Sequence, residues 1–72
     1  MNKSTKNIGS HYIKMWEEKV QRSKGTISYC EDALSHELQE WERKEYQSIL
    51  DKAYVELNQN EQQLETVKGM YK

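Results

Sequence analysis

Apolar and polar residues alternate at helical spacing from Ile27 to Val67, a stretch without proline or glycine. At 100° per residue, Ile27, Cys30, Leu34, Leu38 and Trp41 fall in one narrow sector. Tyr46, Ile49, Leu50, Ala53, Leu57, Leu64 and Val67 fall in a second, displaced by about 110°. The jump lies in the charged run Glu42-Arg43-Lys44-Glu45. A single rod through this jump would present two apolar faces, each needing its own cover. A hairpin lets each arm cover the other, so the pattern predicts antiparallel helices over 29–42 and 45–68, with the turn at Arg43–Glu45.

Upstream, Tyr12, Ile13, Trp16 and Val20 also recur at helical spacing. Ser10 is a suitable N-cap, and Gly25 after Arg22-Ser23-Lys24 reads as a stop, with cations in the last turn and a residue free to take positive φ beyond it. These signals predict a short N-terminal helix over 11–24. Ser28 and Glu31 stand at capping-box spacing and mark the restart. Gly69 ends the last helix, and Asn58–Gln63, with no apolar residue on the stripe, reads as a solvated turn of helix. The expected fold is all-α, a short helix followed by a helical hairpin. It forms one domain spanning 1–72, with the polar segment 1–9 flexible.

Composition sharpens this picture in one respect. The 72 residues are 35% hydrophobic and 32% charged and contain no Phe, with a mean hydropathy of -1.15. Chains this short seldom obtain more than roughly 3–5 kcal/mol from one core and usually need a disulfide, a metal or association. One cysteine excludes an internal disulfide. With no signal peptide and no apolar run long enough to span a membrane, a cytoplasmic location is expected. A partner is therefore the expected source of the missing stability. Charge is divided along the chain: Met1–Gly25 carries six basic and two acidic residues, and the remainder five basic and ten acidic. The simplest reading is that the two parts lie side by side.

Candidate chemistry is sparse. Cys30 and His36, six residues apart, point about 120° away from each other on a helix and form neither a nucleophile–base pair nor a chelate. Cys30 falls on the apolar stripe as a small core residue. His11 is placed at the start of the expected first helix. The carboxylate pairs Glu17/Glu18, Glu31/Asp32 and Glu40/Glu42 sit on polar faces, without the cleft that would split their pKa values. No enzymatic activity, cofactor or metal site is expected. Nucleic acid is disfavoured too, because the helix after Gly25 would present Glu31, Asp32, Glu37, Glu40 and Glu42 to the phosphates.

Aromatic residues point elsewhere. Two Trp and five Tyr make up 10% of a chain poor in other large apolar groups, and such side chains are enriched at interfaces. Leu50, Tyr54 and Leu57 spread the last helix's stripe wider than one short helix covers. The candidate partner-binding residues are Trp41, Tyr46, Leu50, Tyr54, Leu57 and Leu64.

Ala33-Leu34 and Leu38 on a first arm, a polar turn, Tyr46-Gln47 opening a second arm and Ala53 and Leu57 continuing it form a pattern over residues 30–68. It resembles the small co-chaperone of bacterial type III secretion needle subunits, the YscE/PscE/EscE group. The turn lacks glycine, and Asn58–Gln63 is polar where an apolar arm would be expected. The resemblance implies a cytoplasmic heterodimer with a larger helical-repeat co-chaperone, the pair keeping the needle subunit unpolymerised. The alternative reading of the same stripes is a self-associating regulator or inhibitor, of phage or host type, whose homodimer is a four-helix bundle.

Overall fold

A computed structural model of the chain describes residues 2–71, with side chains from Gly9 to Tyr71. Two helices make up the structure, α1 over Asn2–Leu34 and α2 over Glu40–Met70. They run antiparallel, packed along their lengths into a rod of 58 × 14 × 13 Å. The all-α hairpin expected from the stripes is present, and the separate N-terminal helix is not. Residues 11–24 belong to α1, which continues through Gly25, and the segment from Asn2 to Gly9 is helical as well.

The reason lies in the register. On α1, Gly9, Ile13, Trp16, Val20, Ser23, Ile27, Cys30 and Leu34 follow one another at alternating steps of four and three. Tyr46, Leu50, Ala53, Leu57, Asn60, Leu64, Val67 and Tyr71 do the same on α2. Both sets are the a/d seam of a heptad repeat. Every seam residue named is buried or half-buried except Tyr71 at the very end. Continuing α1 through Gly25 costs about 1 kcal/mol of helix propensity. Breaking it would throw Ile27, Cys30 and Leu34 out of phase with Val20. Burying such side chains is worth about 1.5–3 kcal/mol each, so the seam overrides the stop signal. Gly25 stays helical on the solvent side, and Ser28 lies exposed mid-helix rather than at a cap.

The centre of the core is Ile27, Cys30, Leu50 and Ala53, with Leu34, Tyr46 and Leu57 packed against it. Toward the free ends the seam turns polar, where Asn60 Nδ2 donates to Ser23 Oγ at 3.0 Å and to the Lys19 carbonyl at 3.4 Å. Asn58–Gln63 is thus not wholly a solvated turn, since Asn60 occupies a seam position. At the far end the ring of Tyr71 lies directly over Gly9. A Cβ there would stand 2.6 Å from the ring, which is why a residue without one is needed.

The turn comprises Ser35–Gln39, earlier than Arg43–Glu45. Short i→i+3 bonds from Ser35 N–H to the Asp32 carbonyl and from His36 N–H to the Ala33 carbonyl tighten the end of α1. The Ser35 hydroxyl also donates to the Asp32 carbonyl, at 2.6 Å. Arg43 begins no helix. It sits in the first turn of α2 and its guanidinium donates to the Leu34 and His36 carbonyls at 3.3 and 3.4 Å, capping α1 across the turn. Glu42 returns to the Gln39 N–H at 3.0 Å, and with Glu40 it places negative charge at the positive end of the α2 dipole.

Candidate docking face

A two-helix rod has two broad sides, and here they differ. One side carries Lys14, Glu17, Gln21, Lys24, Ser28 and Glu31 from α1, and Gln47, Asp51, Tyr54, Asn58, Glu61, Glu65 and Lys68 from α2. These are the e and b positions of the heptads. Tyr54 is its one large side chain, and the phenol donates across the seam to Glu31 Oε2 at 2.9 Å. That hydrogen bond, with partial desolvation and the Glu31 charge, raises the Tyr54 pKa above 10.0.

The opposite side, made of the g and c positions, is different in kind. Of the eight large apolar side chains left exposed among the described residues, Tyr12, Tyr29, Ile49 and Met70 stand on it and Trp41 lines its groove. Trp41 is 65% exposed, Tyr29 57% and Ile49 45%. Between the helices on this side runs a groove of about 810 Å³, walled by Tyr29, Cys30, Trp41, Tyr46 and Ile49, with Arg22, Glu42 and Glu45 at its margins. At its floor Cys30 is buried in the core, and Tyr29 meets Tyr46 edge-on at 6.0 Å between ring centroids. Contact with the Tyr29 hydroxyl is the main cause that holds the Tyr46 phenol above 10.0.

The six candidate partner-binding residues are divided by this geometry. Leu50 is buried in the core, and Tyr46, Leu57 and Leu64 are half-buried along the seam, so all four are engaged with α1. Trp41 lines the groove and Tyr54 stands on the polar side. Tyr29 and Ile49, the two large residues at the middle of the groove, lay outside the set chosen from the stripe. The heptad phase identifies them, because g and c positions flank a seam on one side only.

The remaining chemical candidates are scattered. Cys30 is a buried free thiol. His36 Nε2 lies 3.7 Å from Asp32 Oδ2 at the exposed end of α1. His11 packs edge-on against Tyr12 at 6.2 Å. Among the described residues, no group of three or more His, Cys, Asp or Glu could hold a metal ion, and no helix is long and apolar enough to cross a membrane. No family model, curated protein or solved structure matches the chain.

Proposed function

We propose that the chain is a non-enzymatic helical hairpin that works by protein–protein binding, with the side bearing Tyr29, Trp41 and Ile49 as its docking face. One observation carries the reading: large apolar side chains are left exposed on one side of the rod and nearly absent from the other. Solvation alone would distribute them over both, whereas a one-sided apolar strip rimmed by charge is the form of an interface. A hairpin is also a natural half of a larger bundle, since two helices shield only one stripe each.

In its first form this is the co-chaperone role. The hairpin pairs in the cytoplasm with a larger helical-repeat co-chaperone, and the two keep a secretion needle subunit unpolymerised by covering its apolar helix. Binding to the folded hairpin would stabilise it by mass action, in keeping with its thin core. The second form, a self-associating regulator, is favoured by the distribution of charge on the docking face.

The test is a comparison of faces. The tagged chain is isolated from its native cell beside Tyr29→Glu/Ile49→Glu, which charges the groove, and Gln21→Glu/Asn58→Lys, which alters the polar side. Loss of co-purifying partners or self-assembly in the first variant and retention in the second support the reading. Equal behaviour of the two variants contradicts it.

A further inference from the structure

The two halves of the docking face carry opposite charge. On its α1 half the charged residues are Lys19 and Arg22. On its α2 half they are Glu42, Glu45 and Glu56, with Lys52 the one cation. The imbalance is sharper than that of the whole helices, where α1 has six basic and four acidic residues and α2 four and seven. Within one hairpin these charges do not neutralise one another, because among the described residues no Lys or Arg lies within ion-pair distance of a carboxylate.

We infer that the docking face is filled by a second copy of this chain, turned about a two-fold axis parallel to the rod, giving an antiparallel four-helix bundle. This inference rests on the reading of that face as a docking surface. Such a rotation keeps each level along the rod in place while laying α1 on the partner's α2. The basic strip then meets the acidic strip, and does so twice, as an isologous contact requires. Near the level of Ser23, about one turn from that of Asn60, Arg22 comes opposite the second copy's Glu56. Two turns nearer the loop, Tyr29 comes opposite the second copy's Ile49. All neighbouring helices in the bundle are antiparallel, so their dipoles also agree.

Surface area points the same way. The chain exposes 5872 Å², whereas a monomer of 8.6 kDa ordinarily exposes about 4,700 Å². The surplus is about 1,200 Å² per chain, more than the roughly 800 Å² each partner contributes to a standard stable interface. The radius of gyration of 16.6 Å, against about 11 Å for a compact chain of this length, has the same origin.

Sedimentation equilibrium of the full chain, with Arg22→Glu and Glu56→Lys, tests the arrangement. Both residues are exposed, and circular dichroism verifies that each variant remains helical. Wild type is expected to be a dimer at micromolar concentration, and each single variant to dissociate about tenfold more readily, since two exposed pairs become repulsive at once. Mixing the two variants restores both pairs. The introduced glutamate of one chain faces the introduced lysine of the other, and the unaltered Glu56 of the first faces the unaltered Arg22 of the second. The mixture should recover wild-type affinity to within about threefold. A wild-type chain that is monomeric at about 100 μM overturns the inference, as does a dimer indifferent to both substitutions or a mixture that does not recover. These outcomes concern only the identity of the occupant. The docking face itself stands or falls on the comparison of Tyr29→Glu/Ile49→Glu with the polar-side variant.

Discussion

Asn60 is the half-buried polar residue of the α2 seam, and its partner Ser23 is only 5% exposed. Replacing Asn60 by alanine removes the bond to the Ser23 hydroxyl and the longer one to the Lys19 carbonyl. A buried hydroxyl stripped of its partner costs about 1–3 kcal/mol. Ser23 can turn toward the carbonyl that Asn60 vacates, so the low end applies and Asn60→Ala should cost about 1–2 kcal/mol. Ser23→Ala leaves Asn60 half in solvent and should cost about 0.5–1 kcal/mol. The double variant should cost less than the sum, giving a coupling of about 0.5–1.5 kcal/mol. Urea denaturation of the four proteins at one fixed concentration measures it, the concentration being held because association contributes to apparent stability. Additivity within about 0.3 kcal/mol would refute the claim that these side chains act as a pair. Ser23→Ala/Asn60→Leu should exceed wild type in stability by about 1 kcal/mol while relaxing the polar contact that fixes the register of the two helices.

Gly25→Ala, at an exposed helical site with nothing within 4 Å of the new methyl group, should stabilise the hairpin by about 0.8–1 kcal/mol in the same assay. Gly9→Ala has the same intrinsic gain but meets the Tyr71 ring, so its stability should fall below that of Gly25→Ala, with loss of the Tyr12–Tyr71 stacking visible in near-ultraviolet dichroism. Arg43→Met removes the cap on α1 and should cost about 0.5–1.5 kcal/mol. The Tyr54–Glu31 bond needs the neutral phenol, so the folded pKa lies above the unfolded 10.0. Its contribution is complete below pH 10 and is lost as pH rises through the folded value. The stability difference between wild type and Tyr54→Phe should therefore be flat below pH 10 and shrink above it, and Tyr54 should ionise above the ordinary tyrosine value in an ultraviolet titration.

Much of the hairpin could be read from residue spacing. The phase jump between the Leu34 and Tyr46 stripes does mark two helices in antiparallel contact, and Leu64 and Val67 do rejoin the α2 seam. The turn was harder to place because Leu38, half-buried in the loop, and Trp41, exposed in α2, continue the α1 stripe in phase by coincidence of spacing. The loop also contains no Gly, Pro, Asn or Asp. It is held instead by Arg43 reaching back to two carbonyls, a contact no local pattern reveals. Gly25 and the Ser28–Glu31 spacing are genuine local signals that lose to tertiary packing. Val20 and Ile27 are seven residues apart, and only the polar Ser23 between them hid an unbroken heptad. Asn60 concealed the corresponding position on α2. Residue spacing alone points to aromatic side chains as candidates for an interface, but it does not say which side of a helix is free, because that depends on where the partner helix lies. That requires the α1 seam, and with it Tyr29 and Ile49 fall into place.

Hydroxyl-radical footprinting tests most directly which side of the rod is covered in the working protein. The chain in its native assembly is compared, residue by residue, with the same chain diluted until it stands alone. Covering of the groove side predicts that Tyr29 and Ile49 lose reactivity in the assembly while Tyr54, on the polar side, keeps it. Protection of Tyr54 with Tyr29 and Ile49 still open to the radical would contradict the account.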